Sequence, residues 1–188
     1  MKNKEIQNIK TALNKLRNIS NILKEKNAII DGILLSTKKC KKMLSKETEQ
    51  ELISKAFEMK LKAYCPYSKY QVGAAILSES GKIYGGFNIE NASYPACNCG
   101  ERTAIFKAVS EGERKFKAIA VCGGKEGEES KGLETDYAFP CGVCRQVMRE
   151  FVNPKEFKVY VCASKDKYKI YTLEEILPHS FGPEFLLG

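Results

Sequence analysis

No run in the 188 residues approaches 18 consecutive apolar positions, which leaves no candidate for a transmembrane helix, and no membrane partner is expected. The first residues lack the basic, then apolar, then small-residue order of a secretory signal, so an intracellular, cytoplasmic protein is expected. In that setting the eight cysteines read as thiols or metal ligands, not as a disulfide framework. No internal repeat is present. A charge surplus is missing from most of the chain too, although the whole carries +8. Residues 1–46 hold 12 Lys/Arg against 3 Asp/Glu, which leaves 19 basic and 20 acidic residues over 47–188. A near-neutral body argues against nucleic acid as its partner.

What is present suits one soluble domain with a tail: 43% hydrophobic and 29% charged residues at this length. In the basic segment 1–46, Ile6, Ile9, Leu13, Leu16 and Leu23 recur at steps of three, four and seven, the spacing of an amphipathic helical extension. A shorter apolar run from Ala28 to Leu35 is interrupted by Asp31-Gly32, and the cluster Lys38-Lys39-Cys40-Lys41-Lys42 reads as a solvated boundary. From Ser45 the pattern changes. Ser45-Lys46-Glu47-Thr48 reads as a helix start, and Leu52, Ile53, Ala56, Met59, Leu61 and Ala63 carry helical spacing up to Pro66. Gln71–Leu77 and Lys82–Asn88 alternate around Ser78-Glu79-Ser80-Gly81, which predicts a hairpin. A helix over Glu101–Glu111 stops at Gly112, followed by a buried-type strand Phe116–Cys122 and a polar loop Gly123–Phe139. A helix Cys141–Phe151, a strand Phe157–Cys162 and a short helix Thr172–Leu177 complete the order. Paired strands followed by alternating helices and strands predict a three-layer α/β/α domain, residues 47–188, with a mixed sheet.

The chemistry-bearing residues are Cys99-Gly100-Glu101 and, much later, Pro140-Cys141-Gly142-Val143-Cys144. A CxxC alone reads equally as a redox pair or as half of a structural zinc site. With Cys99 it makes three thiolates, and three protein ligands plus an open position is the arrangement of a catalytic zinc. Glu101 lies two residues from a ligand, where a proton-shuttling carboxylate is needed. Adding Cys97 would instead close a four-thiolate site with no place for water. Cys99 and Cys141 fall at helix starts, where the backbone N–H groups and the dipole favour thiolate, and Cys97 falls in the loop before. Cys40, Cys65, Cys122 and Cys162, scattered singly, read as small buried hydrophobes.

These motifs resemble those of the zinc nucleobase deaminases, and within them the small cytidine deaminases that act on free nucleosides. The likeness is carried by Ala63–Ala75 (AYCPYSKYQVGAA), Asn88–Tyr94 (NIENASY), Cys99–Ala104 (CGERTA), Pro140–Val147 (PCGVCRQV) and the ending Leu177–Glu184 (LPHSFGPE). It implies that Cys99, Cys141 and Cys144 hold one zinc per subunit and that a zinc-activated water attacks C4 of the pyrimidine. Glu101 would move protons to N3 and to the leaving ammonia. Asn88 and Glu90 would bind the ribose, Tyr70 would stand against the base where the family usually has Phe, and the Gly100 backbone would meet the pyrimidine edge. Arg102, otherwise a helix-surface arginine, would offset the negative charge of three thiolates on zinc. Phe181 and Tyr67 would complete the site across a subunit interface in a homotetramer. The implied reaction is hydrolytic deamination of cytidine and 2′-deoxycytidine in pyrimidine salvage. His179, the single histidine, lies outside the ligand set, because deaminases that use histidine place it where Cys99 stands.

Gly100 stands where the family usually has Ala. Three rival readings differ in testable ways. A polynucleotide deaminase needs a basic, aromatic-lined groove and usually a His-x-Glu; a nucleoside-antibiotic deaminase diverges in the Asn88–Asn91 stretch; a non-enzymatic zinc scaffold has no use for Glu101.

Overall fold

The computed structural model describes residues 16–17, 20–27, 30, 44–128 and 133–187. The chain forms two compact units, Met1–Leu44 and Ser45–Gly188. In the first, residues 16–17, 20–27 and 30 are helical (α1), and Leu16, Ile22, Leu23 and Ile30 are exposed. The other apolar positions of the expected extension, Ile6, Ile9 and Leu13, lie outside the described residues, as do the Asp31-Gly32 break and the Lys38–Lys42 cluster. Among the described residues no helix is long and apolar enough to cross a membrane.

The second unit opens with α2 (Lys46–Lys60), capped by the Ser45 hydroxyl, which accepts from Thr48 N. The helix ends at Lys60, short of Pro66, because the chain turns so that Tyr64 N donates to Asn88 O at 3.0 Å. Strands β1 (Tyr70–Ser78) and β2 (Ile83–Phe87) form the expected hairpin, and Gly81 takes φ +93° in its turn. Next come α3 (Gly100–Ser110), β3 (Phe116–Lys125), α4 (Gly142–Phe151) and β4 (Lys158–Cys162). β5 (Tyr168–Thr172), α5 (Leu173–Ile176) and α6 (Glu184–Leu187) close the unit. Gly112, at φ +100°, follows the end of α3 as its sequence suggested. Thr172 caps α5 in a reciprocal box, its hydroxyl accepting from Glu175 N while Glu175 accepts from Thr172 N.

The five strands run in the order β2-β1-β3-β4-β5, with β3 and β4 parallel and every other neighbour antiparallel. β3 sits at the centre, and its run Ala118–Cys122 is buried throughout, as expected of a strand covered on both faces. Two glycines let the helices approach the hairpin backbone. A Cβ on Gly73 would lie 2.1 Å from Ala56 O of α2, and one on Gly86 would lie 2.3 Å from Ala104 N of α3. Gly73 pairs with Phe87 and Gly86 with Ala74, so these two glycines face opposite sides of the sheet. The result is the expected three-layer α/β/α architecture, with α2 on one face and α3 on the other. The core between α3, α4 and the sheet is built on Ile76, Ile105, Ile119, Met148, Phe157 and Leu173. Helices α3 and α4 thereby start beside each other, and their first residues carry the site.

Candidate metal centre and active site

Cys99 is the N-cap of α3 and Cys141 the N-cap of α4, both with extended backbone. The sulfurs of Cys99, Cys141 and Cys144 lie within 4.8 Å of one another, Cys99 to Cys141 at 3.9 Å and Cys141 to Cys144 at 3.5 Å. A tetrahedral zinc with bonds of about 2.3 Å spaces its sulfurs about 3.8 Å apart, so this donor set fits zinc with little rearrangement. Cys97 stands apart. Its Sγ accepts from Asn91 N at 3.2 Å and donates to Asn91 O at 3.6 Å, and no fourth ligand joins the cluster among the described residues.

The thiols share their protons unevenly. A hydrogen bond from Cys144, helped by the Arg102 guanidinium, pulls Cys99 down to about 5, while the same contact pushes Cys144 up. Arg102 Nη2 donates to Cys97 O at 3.0 Å and to Cys99 Sγ at 3.6 Å. Its Nε is buried without a hydrogen-bond partner, so both of these contacts are made through Nη2. Glu101, 3% exposed, occupies the first turn of α3. Burial pushes its carboxyl up to about 7, and the neighbouring Cys99 adds to the rise. A carboxyl so placed, buried two residues from Cys99, suits proton exchange at neutral pH.

These groups form one end of a cavity of about 900 Å³, walled also by Tyr70, Val72, Asn88, Glu90, Tyr137 and Phe139. Asn88 closes the end of the hairpin. Its Oδ1 accepts from Val72 N at 2.8 Å and its Nδ2 donates to Tyr70 O at 2.9 Å, which leaves one amide hydrogen unspent. Glu90 Oε2 accepts from Tyr67 N at 3.0 Å and Ser68 N at 3.2 Å. Tyr70 lies over Gly123, where a Cβ would meet its ring at 3.0 Å and its hydroxyl at 3.1 Å; burial pushes that phenol up.

The structure thus lines one cavity with Cys99, Cys141, Glu101, Arg102, Asn88, Glu90 and Tyr70, and Cys144, fully buried, sits behind the lining with its sulfur within 4.8 Å of the other two. It does not bring Gly100, Tyr67 or Phe181 to the cavity lining. Gly100 is buried against Val72 and Phe87 of the hairpin. Phe181 is 55% exposed and stacks on Phe185, ring centroids 5.2 Å apart, while Tyr67 makes an edge contact with Tyr94. His179 is exposed, at φ +53°. Sequence reasoning missed Tyr94, Asn98, Tyr137, Phe139 and Val143 as lining residues. Val143 lies beside the cysteines in α4 and Tyr94 opens a three-residue 3-10 turn, Tyr94–Ala96, while Asn98, Tyr137 and Phe139 sit in irregular segments with no periodic signal.

Residues 46–161 match the family model described as "Cytidine and deoxycytidylate deaminase zinc-binding region". A cytidine deaminase of Sporosarcina psychrophila is 46% identical over 137 residues, 73% of this chain and 93% of that protein. One of Halalkalibacterium halodurans is 44% identical over 135 residues, 72% of this chain and 95% of that protein. Among solved structures, the cytidine deaminase of Burkholderia pseudomallei aligns with a TM-score of 0.62 at 38% identity, covering 73% of this chain and all of that one.

Proposed function

The chain belongs to the cytidine and deoxycytidylate deaminase family of zinc-binding hydrolases, and on that premise we propose that it hydrolyses free cytidine and 2′-deoxycytidine to uridine and 2′-deoxyuridine plus ammonia. The observation that carries the reading is Glu101: a buried carboxyl, two residues from Cys99, lining a cavity with Cys99, Cys141, Asn88 and Glu90, while Cys144 completes the thiol cluster behind it.

Cys99, Cys141 and Cys144 would hold one zinc per subunit, which when bound supplies a nucleophilic water at neutral pH. Glu101 moves the protons, accepting one and delivering it to N3 of the pyrimidine, then protonating the departing amine. Arg102 donates to Cys99 and offsets part of the negative charge that three thiolates bring to the centre. Glu90 keeps one carboxylate oxygen, Oε1, clear of the backbone N–H groups of Tyr67 and Ser68, and Asn88 keeps one amide hydrogen; both suit the ribose 3′-hydroxyl. Tyr70 packs against the base.

Charge favours a nucleoside over a nucleotide. The charged residues lining the cavity are Glu90, Glu101 and Arg102, and Arg102 is spent on Cys97 O and Cys99 Sγ. A 5′-phosphate would enter with no cation to meet it among the described lining residues. Free nucleosides as substrates suit pyrimidine salvage in the cytoplasm. Phe181 and Tyr67, exposed on this chain, would complete a neighbour's cavity in a homotetramer. Turnover of cytidine, 2′-deoxycytidine, dCMP and single-stranded DNA, followed by absorbance with zinc-loaded protein, tests the reading. The two nucleosides should react and the other two should not. Faster turnover of dCMP would overturn the substrate assignment, and no turnover of any of them would overturn the function.

A further inference from the structure

We propose that Lys169, on the edge strand β5, is a positioning residue that fixes one wall of the substrate cavity and so sets how tightly the nucleoside binds; this rests on the deaminase reading above. The wall is Tyr137, Ala138 and Phe139, which run directly into Pro140 and Cys141. Among the described residues this segment pairs with no strand. Its one regular feature is the 3-10 turn Glu134–Asp136, closed by Leu133 N donating to Asp136 Oδ2 at 2.9 Å.

β5 supplies the fastening. Lys169 Nζ lies 2.5 Å from Glu134 Oε2 and 4.5 Å from the centroid of the Tyr137 ring. Two residues on, Tyr171 packs against Phe139 with ring centroids 5.5 Å apart. A step of two puts Lys169 and Tyr171 on one face of the strand, so a single strand face grips both ends of the wall. Tyr137 itself is buried in the core cluster while also lining the cavity. Ala138 lies against Gly123, where an added Cβ would come within 2.6 Å of its own. A shift of this segment therefore changes the cavity directly.

The metal end is anchored separately. Arg145 Nε donates to Pro140 O at 2.7 Å, and its Nη1 to Ile176 O at 2.6 Å. Cys141 therefore keeps its place if the wall loosens, and the effect of losing Lys169 falls on binding, not on the metal or the proton transfer.

Lys169→Met removes the ammonium and keeps most of the stem, while Lys169→Arg keeps a cation. With zinc-loaded protein and cytidine as the probe, Lys169→Met should raise KM about threefold to tenfold and leave kcat within about twofold. Zinc content should match that of the unaltered protein, and Lys169→Arg should restore most of the loss in KM. Amide hydrogen exchange over residues 133–139 should be faster in Lys169→Met and near normal in Lys169→Arg. This second readout needs no turnover, so it judges the positioning claim even if cytidine proves not to be the substrate. Unchanged exchange would overturn the proposal, as would faster exchange with an unchanged KM, or a fall in kcat with KM untouched.

Discussion

Substituting Gly86 by alanine probes how the fold aims its active-site helix. A Cβ there would lie 2.3 Å from Ala104 N, 2.6 Å from Gly100 O and 2.9 Å from Ala104 Cα. All three are backbone atoms of α3, so no side chain can rotate away, and the helix must lift by about 1 Å to reach ordinary contact. Overpacking of this kind costs about 1–3 kcal/mol, and at about 2–4 °C per kcal/mol thermal unfolding should show it plainly. The same lift carries Cys99 and Glu101 away from Cys141 and Cys144, and a displacement near 1 Å of catalytic groups costs up to about 10²-fold in rate. Gly85→Ala is the internal comparison. Its Cβ would meet Cγ and Sδ of Met59 at 2.6 Å, atoms of a flexible side chain on the other face of the sheet, so it should cost less stability and far less activity. The assay is thermal unfolding and cytidine turnover of both zinc-loaded variants. Gly86→Ala with stability and kcat equal to those of Gly85→Ala would refute the argument that close backbone contact sets the position of α3.

Three further expectations follow from the same geometry. Cys99→Ala, Cys141→Ala and Cys144→Ala should each lose zinc while Cys97→Ala keeps it, as metal analysis of the four proteins would show; loss in Cys97→Ala would revive a four-thiolate site. Burial pushes Glu49 up, but hydrogen bonds from Tyr168, Lys46 and Tyr160 outweigh it and hold the carboxyl below its ordinary 4.5. A depressed folded-state value stabilises above the unfolded one and is lost as pH falls through the folded one. The stability gap between the unaltered protein and Glu49→Gln should therefore be constant at neutral pH and shrink below about pH 4.5 in denaturant titrations. A chain beginning at Ser45 should keep kcat/KM for cytidine within about threefold, because every proposed zinc, proton and ribose residue lies between Asn88 and Cys144; a tenfold loss in a folded, zinc-bound protein would place the first unit in the active site.

The thiol cluster and Glu101 were legible in the sequence because their spacing is local to helix starts: Cys-x-Glu and CxxC place these residues within one turn, and tertiary packing only had to bring two helix ends together. Asn88 and Glu90 were legible by resemblance alone, and their backbone bonds to Tyr70, Val72, Tyr67 and Ser68 emerge only when the strands pair. β5 left no usable signal. Ile170 faces solvent, 42% exposed, while Lys169 and Tyr171 turn toward the loop 133–139, so its polarity pattern is the reverse of a half-buried strand's. Gly123-Gly124 reads as a turn, yet β3 continues through both to Lys125 because Tyr70–Val72 pair with that stretch. The cavity wall Tyr137–Phe139 depends on contacts with β5, far along the chain, and no local pattern encodes such contacts. Glu49, a carboxylate buried under two tyrosines 111 and 119 residues away, was hidden for the same reason.

The central claim is that Glu101 moves the protons in deamination of a free nucleoside. It is tested most directly by the single-turnover rate of cytidine on zinc-loaded Glu101→Gln against the unaltered protein, with metal content measured on the same samples. The account predicts equal zinc and a rate lower by at least about 10²-fold. Equal zinc and an undiminished rate would contradict it.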